Sequence, residues 1–386
     1  KRLLAVSDFT SSMNYMQIFD PLQTSCKERL LEIGAPLQQM YQQDKTIQDL
    51  ANLSPVLHPD LANHPTISHL RQDHPIVGLS SPFDHSNFNG ESMYIHFIRL
   101  VALLINERYQ EMVKNTVTPL GGDHKGCTIK GDSRMRNKAL AKDDHLSEEK
   151  PRPAMNIDIS RCCTTFDNPE SMKKGIEALV KAFSKEGGHG NSGIGRIKNG
   201  FASSDEDAAK SFHYRSYMMN IIVDFGLTFG ELVKEPKSMK MLNNYVERLS
   251  ENPDEPIGRW KRHAEAAVAY LRSDVLSTQN VMMICEVQVL LRPYLDARKK
   301  MHLLYKVVRA DSDTHLATQF AVNEVEGREK NATWSMEETR MVEKTRGQVE
   351  KGEKLALYDA CFYGFPAAVT LALETIQDVD VNQAKN

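Results

Sequence analysis

Two acidic residues lie within apolar stretches that the sequence predicts to be strands. Glu286 falls in residues 281–291 and Asp158 in residues 154–165. Because side chains alternate along a strand, Glu286 and Gln288 are expected on one face. Carboxylates on neighbouring strands are the oxygen ligands that Mg²⁺ takes beside a triphosphate. The pattern therefore predicts a metal and phosphate site, and acids at strand edges that face solvent are the alternative it leaves open.

Basic residues are concentrated in two stretches next to these acids. Residues 125–142 and residues 292–309 each carry six lysines and arginines against a single aspartate. Cations that flank carboxylates fit the binding of a polyphosphate, because phosphate oxygens accept hydrogen bonds from Lys and Arg. A solvated, charged helix face is the alternative for either stretch taken alone. In the second stretch, Arg298, His302 and Tyr305 follow one predicted helical stripe.

Composition limits the classes of protein to consider. The chain has 386 residues, with 48 lysines and arginines against 51 aspartates and glutamates, which predicts a globular protein of two or three domains. The net charge of −3 gives no reason to expect nucleic acid as a partner. The longest apolar run, residues 93–105, is shorter than the ~20 residues that a membrane-spanning helix needs, so we expect no membrane span.

The cysteines indicate the redox compartment. Six of them occur without a C-x-x-C pair or the spacing of a zinc site. Buried thiols in a reducing, intracellular compartment are the better interpretation. The cytoplasm is the first expectation, and an organelle stays open because the chain begins at Lys1 rather than at Met.

Periodicity divides the chain into a helical part and a mixed part. Helical spacing dominates residues 11–115, with one long amphipathic helix predicted over residues 91–114 and an irregular connection at residues 54–89. From about Thr116 strands alternate with helices. The predicted strands are residues 154–165, 193–201, 217–225 and 281–291, and the predicted helices are residues 170–183, 256–276 and 293–309. We therefore predict an α+β fold, with a mixed sheet flanked by helices after an all-helical N-terminal region.

Six short segments occur in the order and at the spacing of a known family. They are residues 129–140 (IKGDSRMRNKAL), 156–168 (NIDISRCCTTFDN), 195–201 (GRIKNGF), 213–223 (HYRSYMMNIIV), 284–291 (ICEVQVLL) and 297–309 (ARKKMHLLYKVVR). Together they resemble the nucleotidyltransferase-fold domain of guanosine tetraphosphate synthetases, the RelA/SpoT type, especially its divergent eukaryotic relatives. The resemblance covers residues 121–311, about half of the chain.

The resemblance implies a nucleotide-binding domain and, where it is active, an ATP-dependent nucleotide pyrophosphokinase. Such an enzyme uses Mg²⁺ and transfers pyrophosphate from ATP to a guanine or other purine nucleotide. Asp158 and Glu286 are then the catalytic and metal-binding residues, and Glu286 also assists deprotonation of the acceptor 3′-hydroxyl. Tyr214 is implied to stack on the acceptor purine. The full set of implied nucleotide-binding residues is Lys130, Arg134, Lys138, Tyr214, Gln288, Arg298, His302 and Tyr305.

The sequence departs from the family pattern around the implied acceptor site. His213 replaces the usual glycine, and Ser216–Tyr217–Met218 lacks the usual histidine. The family arginine after Asp158 is shifted or lost, because Arg161 comes early in that motif, and a helical insertion follows Val223. These departures support an alternative function. The domain is then catalytically degenerate and serves as a structural or interaction subunit, with protein partners on its helical and ankyrin-like regions.

The C-terminal segment resembles a single, truncated ankyrin repeat. One repeat alone cannot bury its apolar face, so we expect it to pack on neighbouring helices or to continue into an array. The predicted organisation is a helical N-terminal region at residues 1–115, a RelA/SpoT-like domain at 116–311, a charged helical linker at 312–351 and the ankyrin-like repeat at 352–386.

Overall fold

The computed structural model describes residues 13–62, 70–86, 88–140, 144–184, 187, 190–250 and 259–309. The predicted linker at 312–351 and the ankyrin-like repeat at 352–386 lie outside these residues. The described residues form two compact units: the first combines residues 13–43, 205–214 and 293–309, and the second combines the described residues within 44–204 and 215–292. The units are interleaved along the chain. The domain limits given by the sequence, at residues 115, 311 and 351, stay a prediction.

The second unit is built on one five-stranded sheet. Its strands are β1 (Asp123–Gly126), β2 (Arg161–Phe166), β3 (Gly193–Asn199), β4 (Tyr217–Thr228) and β5 (Asn280–Leu291). They lie in the order β1-β2-β5-β4-β3. β2 and β5 run parallel, and the other neighbouring strands are antiparallel. The predicted α+β architecture with a mixed sheet is confirmed.

Helices account for most of the remaining described chain. In chain order they are α1 (Met13–Gln43), α2 (Lys45–Gln48), α3 (Pro59–Ala62), α4 (Phe88–Val117), α5 (Asp132–Leu140), α6 (Pro169–Ala182), α7 (Asp205–Lys210), α8 (Phe229–Lys234), α9 (Pro236–Ser250), α10 (Arg259–Leu271), α11 (Asp274–Ser277) and α12 (Arg292–Arg309). Short 3-10 helices occur at Asp49–Asn52, Thr118–Leu120, Arg152–Met155 and Gly200–Ala202. As far as residue 115, the described residues form helices, turns and loops and no strand.

One face of the sheet is apolar and lies against α4. Val287 in β5 pairs with Cys162 in β2 and with Met219 in β4, and all three side chains are buried. Tyr109 of α4 is also buried and donates its hydroxyl proton to the backbone carbonyl oxygen of Glu286, over 2.8 Å. Because side chains alternate, the side chain of Glu286 lies on the opposite face.

The segment before β2 differs from the sequence prediction. The sequence predicts a strand over residues 154–165, but β2 begins only at Arg161. A 3-10 helix ends at Met155, and residues 157–160 form turns and bends. The Asn156 side-chain amide donates to the carbonyl oxygen of Pro153 over 3.0 Å, which closes a local turn in place of an extended strand. Asp158 therefore lies in a turn and is not part of β2.

The described part of the first unit consists of α1, α7, α12 and the residues that follow α7. Leu30 of α1 and Val307 of α12 are buried in its core. The Gln23 side chain donates to the carbonyl oxygen of Val307 over 3.1 Å. Gly34 lies so close to the backbone of Phe212 that a larger residue could not be accommodated without a shift.

Two findings bear on the environment of the chain. None of the described helices is long and apolar enough to cross a bilayer. The cysteines that the structure describes, Cys26, Cys127, Cys162, Cys163 and Cys285, carry free thiols.

Candidate active site

A row of polar side chains crosses the sheet at Glu286. The Cα of Glu286 in β5 pairs with that of Arg161 in β2 on one side and with that of Asn220 in β4 on the other. Asn220 pairs in turn with Arg196 in β3. Directly paired residues point to the same face, so the four side chains form one row. The carboxylate of Glu286 therefore has an arginine on the strand at one side and a second arginine two strands away at the other.

A second row lies two residues further along the same face. Gln288 pairs with Cys163 and with Met218, and the row ends at Lys125 in β1 and at Lys198 in β3. Gln288 Nε2 donates to Glu286 Oε1 over 2.8 Å, which confirms that these two side chains share a face. We call the two rows together the charged face; its members are Arg161, Glu286, Asn220, Arg196, Lys125, Cys163, Gln288, Met218 and Lys198.

The turn that carries Asp158 is fixed beside β5 by backbone contacts. The amide of Glu286 donates to the carbonyl oxygen of Ser160 over 3.0 Å, and the amide of Lys130 donates to that of Ile159 over 3.1 Å. Asn220 Nδ2 donates to the carbonyl oxygen of Ile157 over 3.3 Å. The turn is thus attached to the strand that carries Glu286, even though it lies outside β2.

Asp158 and Lys130 form an ion pair with one buried member. Lys130 Nζ lies 2.6 Å from Asp158 Oδ1, and the Lys130 side chain is 1% exposed against 21% for Asp158. Burial lowers the pKa of Lys130 to about 8, although the charge of Asp158 opposes this change. Burial alone would raise the pKa of Asp158, but the charges of Lys130, Lys138 and Arg161 outweigh it and lower that pKa to about 2. Arg161 Nη1 lies 3.9 Å from Asp158 Oδ2.

The pKa of Glu286 shifts in the opposite direction to that of Asp158. Burial raises the pKa of Glu286, and the negative charge of Asp158 raises it further, whereas Gln288 and the nearby cations oppose the rise. The two carboxylates therefore interact unfavourably, which a cation between them would relieve. Among the described residues there is no group of three or more His, Cys, Asp or Glu side chains arranged for a metal. A pair of carboxylates suits Mg²⁺, which keeps phosphate oxygens and waters among its ligands.

Cations surround these carboxylates from α5 and from β3. The charge of Lys138 acts on Asp158 and on Lys130, and Lys138 itself lies 3.7 Å from Asp144. Burial lowers the pKa of Arg196 and of Lys198, while the charges of Glu286 and Asp158 raise it. The sequence-predicted Lys130 and Lys138 are thus brought to the acids, and Arg134 of α5 is exposed.

Sequence reasoning missed two cations of this site. Arg196 and Lys198 lie two residues apart in the segment GRIKNGF, and that spacing, in a predicted strand, is the available signal for a shared face. The structure pairs Arg161 with Glu286 and places it near Asp158. Whether Arg161 serves in place of the family arginine stays a prediction.

Four of the sequence-predicted residues, Tyr214, Arg298, His302 and Tyr305, belong to the first unit. The ring of Tyr214 lies 6.5 Å from that of Tyr294, edge to face. On α12, His302 and Tyr305 are exposed and Arg298 is half-buried. Their predicted roles in nucleotide binding, like those of the residues in the second unit, stay predictions.

His213 has an unusual backbone conformation. Its φ is 60°, in the left-handed region that glycine adopts without strain. A histidine therefore occupies a backbone position that suits glycine.

Known proteins were compared with the whole chain. No protein-family model and no curated protein matches it. One solved structure is similar. It is the crystal structure of the small alarmone synthetase 1 from Bacillus subtilis, with a TM-score of 0.32 and 11% sequence identity, over 66% of this chain and 96% of that one. The likeness concerns the fold alone.

Proposed function

We propose that the charged face binds the polyphosphate of a purine nucleotide together with Mg²⁺. The observation that carries this proposal is the row in which Glu286 lies between Arg161 and Asn220, with Asp158 and Lys130 attached beside it. Cations next to paired carboxylates suit a ligand that is itself a metal-bound polyanion. In addition, Nε of Arg161 is buried with no hydrogen-bond partner among the described residues, so it can donate to a phosphate oxygen.

The proposed reaction is the transfer of pyrophosphate from ATP to a guanine or other purine nucleotide. The acceptor hydroxyl oxygen attacks the β-phosphorus of ATP, the bond from that phosphorus to the oxygen bridging the α-phosphorus breaks, and AMP leaves. Glu286 accepts the hydroxyl proton, for which its raised pKa is suited. Bound Mg²⁺ would be held by Asp158 and Glu286 and would neutralise charge on the phosphates. Lys130, Lys138 and Arg161 would orient the donor and stabilise the developing charge.

Nucleotide binding and product formation test this proposal. A non-hydrolysable ATP analogue is titrated by calorimetry with and without Mg²⁺ into the unmodified protein, Glu286→Gln and the matched control Glu265→Gln, an exposed acid of α10. We expect Mg²⁺-dependent binding that Glu286→Gln weakens by about tenfold or more and that Glu265→Gln leaves unchanged. A product assay then follows AMP release from ATP with GDP or GTP as acceptor. Absence of binding at millimolar nucleotide would contradict the proposal.

A degenerate, structural module is the second candidate, and the Lys130–Asp158 pair favours it. The ammonium group of Lys130 already lies 2.6 Å from the carboxylate that a metal would use. An acid compensated in this way needs no cation. On this candidate, nucleotide binding is absent, and protein partners contact the helical regions. If Mg²⁺ does bind, it competes with Lys130 for the carboxylate of Asp158. A change in the pKa of Lys130 on addition of Mg²⁺ would therefore support the first candidate.

The proposal includes an intracellular, reducing compartment. Cys26, Cys162 and Cys285 are buried free thiols, and burial raises the pKa of each of them. Thiols with raised pKa are poor nucleophiles and oxidise slowly. Localisation of a tagged full-length protein tests this part.

A further inference from the structure

A polar cluster at the back of α5 joins this helix to α4, α9 and α10. At its centre, the guanidinium of Arg136 lies 3.6 Å from the centroid of the Trp260 ring. Arg136 also pairs with Asp132, one turn earlier in α5, over 2.9 Å. It donates to Ser92 Oγ and to His96 Nε2 of α4, over 3.3 Å in each case. One side chain therefore connects the first turn of α5, α4 and α10.

The bonds around Arg136 continue into α9 and α10. His96 is buried, which lowers its pKa to about 3, so its imidazole is neutral. Because Arg136 can only donate to Nε2, the proton of His96 lies on Nδ1 and is donated to the Tyr245 hydroxyl over 2.7 Å. His263 of α10 lies 3.1 Å from Ser92 Oγ. The cluster is thus a connected network that joins α5 to α4, α9 and α10.

The rotation of α5 decides where its site cations lie. Arg134 and Lys138 are four residues apart and share one side of the helix, whereas Arg136 is two residues from each and points to the opposite side. Met135 and Ala139 form the buried stripe between them. The contacts of Arg136 therefore fix the side of α5 that faces away from the carboxylates, and with it the side that carries Lys138. Lys130 precedes the same helix by two residues.

We propose that Arg136 is a positioning residue for the nucleotide site: its stacking on Trp260 and its bonds to α4 hold α5 in the rotation that directs Lys138 at the phosphates. This inference rests on the proposed function. It gives a role to the insertion that follows Val223, since Trp260 and Tyr245 both belong to that insertion. Arg136 itself touches neither nucleotide nor metal in this account.

Substitution of Arg136 tests the inference. Arg136→Ala removes every contact of the guanidinium, and Arg136→Lys keeps the charge beside Asp132 but loses the planar stacking on Trp260. We expect Arg136→Ala to weaken Mg²⁺-dependent binding of the ATP analogue by about tenfold, because displaced cations lose alignment with the phosphates. Arg136→Lys should recover part of that loss. Lys261→Ala, an exposed neighbour of Trp260 on α10, is the control and should bind like the unmodified protein.

Trp260 supplies a signal that loss of stability alone would not produce. The sequence has two tryptophans, so Trp334→Phe leaves Trp260 as the single emitter. Nucleotide that binds at the charged face should change Trp260 emission in this background, and Arg136→Ala should abolish the change even at saturating nucleotide. Should Arg136→Ala fail to fold by circular dichroism, Tyr245→Phe takes its place, with an expected loss of about threefold.

The outcomes separate this inference from the proposed function. Nucleotide binding that Arg136→Ala retains at full strength, or bound nucleotide that leaves Trp260 emission unchanged, overturns the inference and leaves the proposed function standing. Absence of nucleotide binding to the unmodified protein overturns the proposed function, and the inference with it.

Discussion

The Lys130–Asp158 pair combines a fully buried ammonium group with a carboxylate that is 21% exposed. Removing the acid leaves the ammonium without its counter-charge in a low-dielectric environment. We expect Asp158→Asn to lower the free energy of unfolding at neutral pH by about 3 kcal/mol. The pKa of Lys130, already lowered to about 8 by burial, should fall further, because the attraction of Asp158 that opposes the decrease is lost.

The pH dependence of this effect follows from the pKa of Asp158. That pKa lies at about 2 in the folded protein, below its ordinary value of 3.8. The stabilisation by the charged acid is therefore present above about pH 4 and is lost as the pH falls towards 2. Urea unfolding of the unmodified protein and of Asp158→Asn, at pH 7 and near pH 2.5, measures this stabilisation. The difference in the free energy of unfolding between the two proteins should shrink at the lower pH. An equal difference at both pH values would contradict this assignment. The double substitution Lys130→Met and Asp158→Asn removes both charges. It should lower the free energy of unfolding by less than Asp158→Asn alone.

His213 occupies a backbone conformation that suits a glycine. Its φ is 60°, and its Nδ1 is buried with no hydrogen-bond partner among the described residues. We expect His213→Gly to raise the free energy of unfolding by roughly 0.5–1 kcal/mol, because relief of the left-handed strain exceeds the added entropy of the unfolded chain. Thermal unfolding measures the change. Ala209→Gly, at an exposed position within α7, is the matched control and should lower stability. Destabilisation by His213→Gly would mean that the histidine side chain holds this loop.

At the scale of residues, the sequence predicted contacts within one strand and missed contacts between strands. Period-two alternation was sufficient to put Glu286 and Gln288 on one face, and their side chains are bonded. Asn220 was not predicted, because its place beside Glu286 depends on the register of β4 against β5. A register is set by packing of the whole sheet, and no local pattern encodes it.

A side chain that is far away in sequence lies beside β5 just before β2 begins. Gln72 is fully buried, and its Nε2 donates to the carbonyl oxygens of Asn156 and Ile284, over 3.1 and 3.0 Å. Its Oε1 accepts from the amide of Ile284 over 3.1 Å. The Gln72 side chain thus makes the hydrogen bonds to Ile284 that a neighbouring strand would make. At this point along β5 the strand β2 has not yet begun. The turn that carries Asp158 lies beside β5 partly for this reason.

Replacement of Gln72 should therefore loosen both β5 and the Asp158 turn. We expect Gln72→Leu to lower the free energy of unfolding by about 3 kcal/mol, because three buried backbone groups lose their partner. Denaturant unfolding measures the loss, and faster amide exchange at Ile284 locates it. Gln279→Leu, exposed just before β5, is the control and should change stability little. Unchanged exchange at Ile284 would show that water or another group satisfies the strand.

The elements that the sequence misjudged are those fixed by tertiary contacts. β1 carries no β-branched residue, and the sequence predicts no strand there. It is a strand because its backbone pairs with β2, from Asp123 opposite Thr165 to Gly126 opposite Cys162. In contrast, β5 and α12 have strong apolar periodicity, and their predicted limits lie within one residue of those observed. Local pattern is sufficient where the apolar periodicity extends along the whole element.

At the scale of the molecule, the charged face is a local exception to the overall charge. The chain carries a net charge of −3, yet Arg161 of β2 and Arg196 and Lys198 of β3 converge on the two carboxylates. A phosphate ligand is then attracted at short range only, because a chain with a negative net charge does not attract an anion from a distance. The sequence could predict the two basic stretches, but the assembly of cations from β2 and β3 required the fold.

Ionic strength tests this short-range attraction. Raising the salt concentration from ~0.1 M to ~1 M shortens the screening length from ~10 to ~3 Å, so we expect affinity for the ATP analogue with Mg²⁺ to fall by about tenfold or more. Arg196→Ala and Lys198→Ala should each weaken binding at low salt and reduce its salt dependence, whereas Lys240→Ala, exposed on α9, should change neither. Binding that is independent of salt would mean that the base and ribose, rather than the phosphates, contribute most of the affinity, and that the charged face is not where the polyphosphate binds.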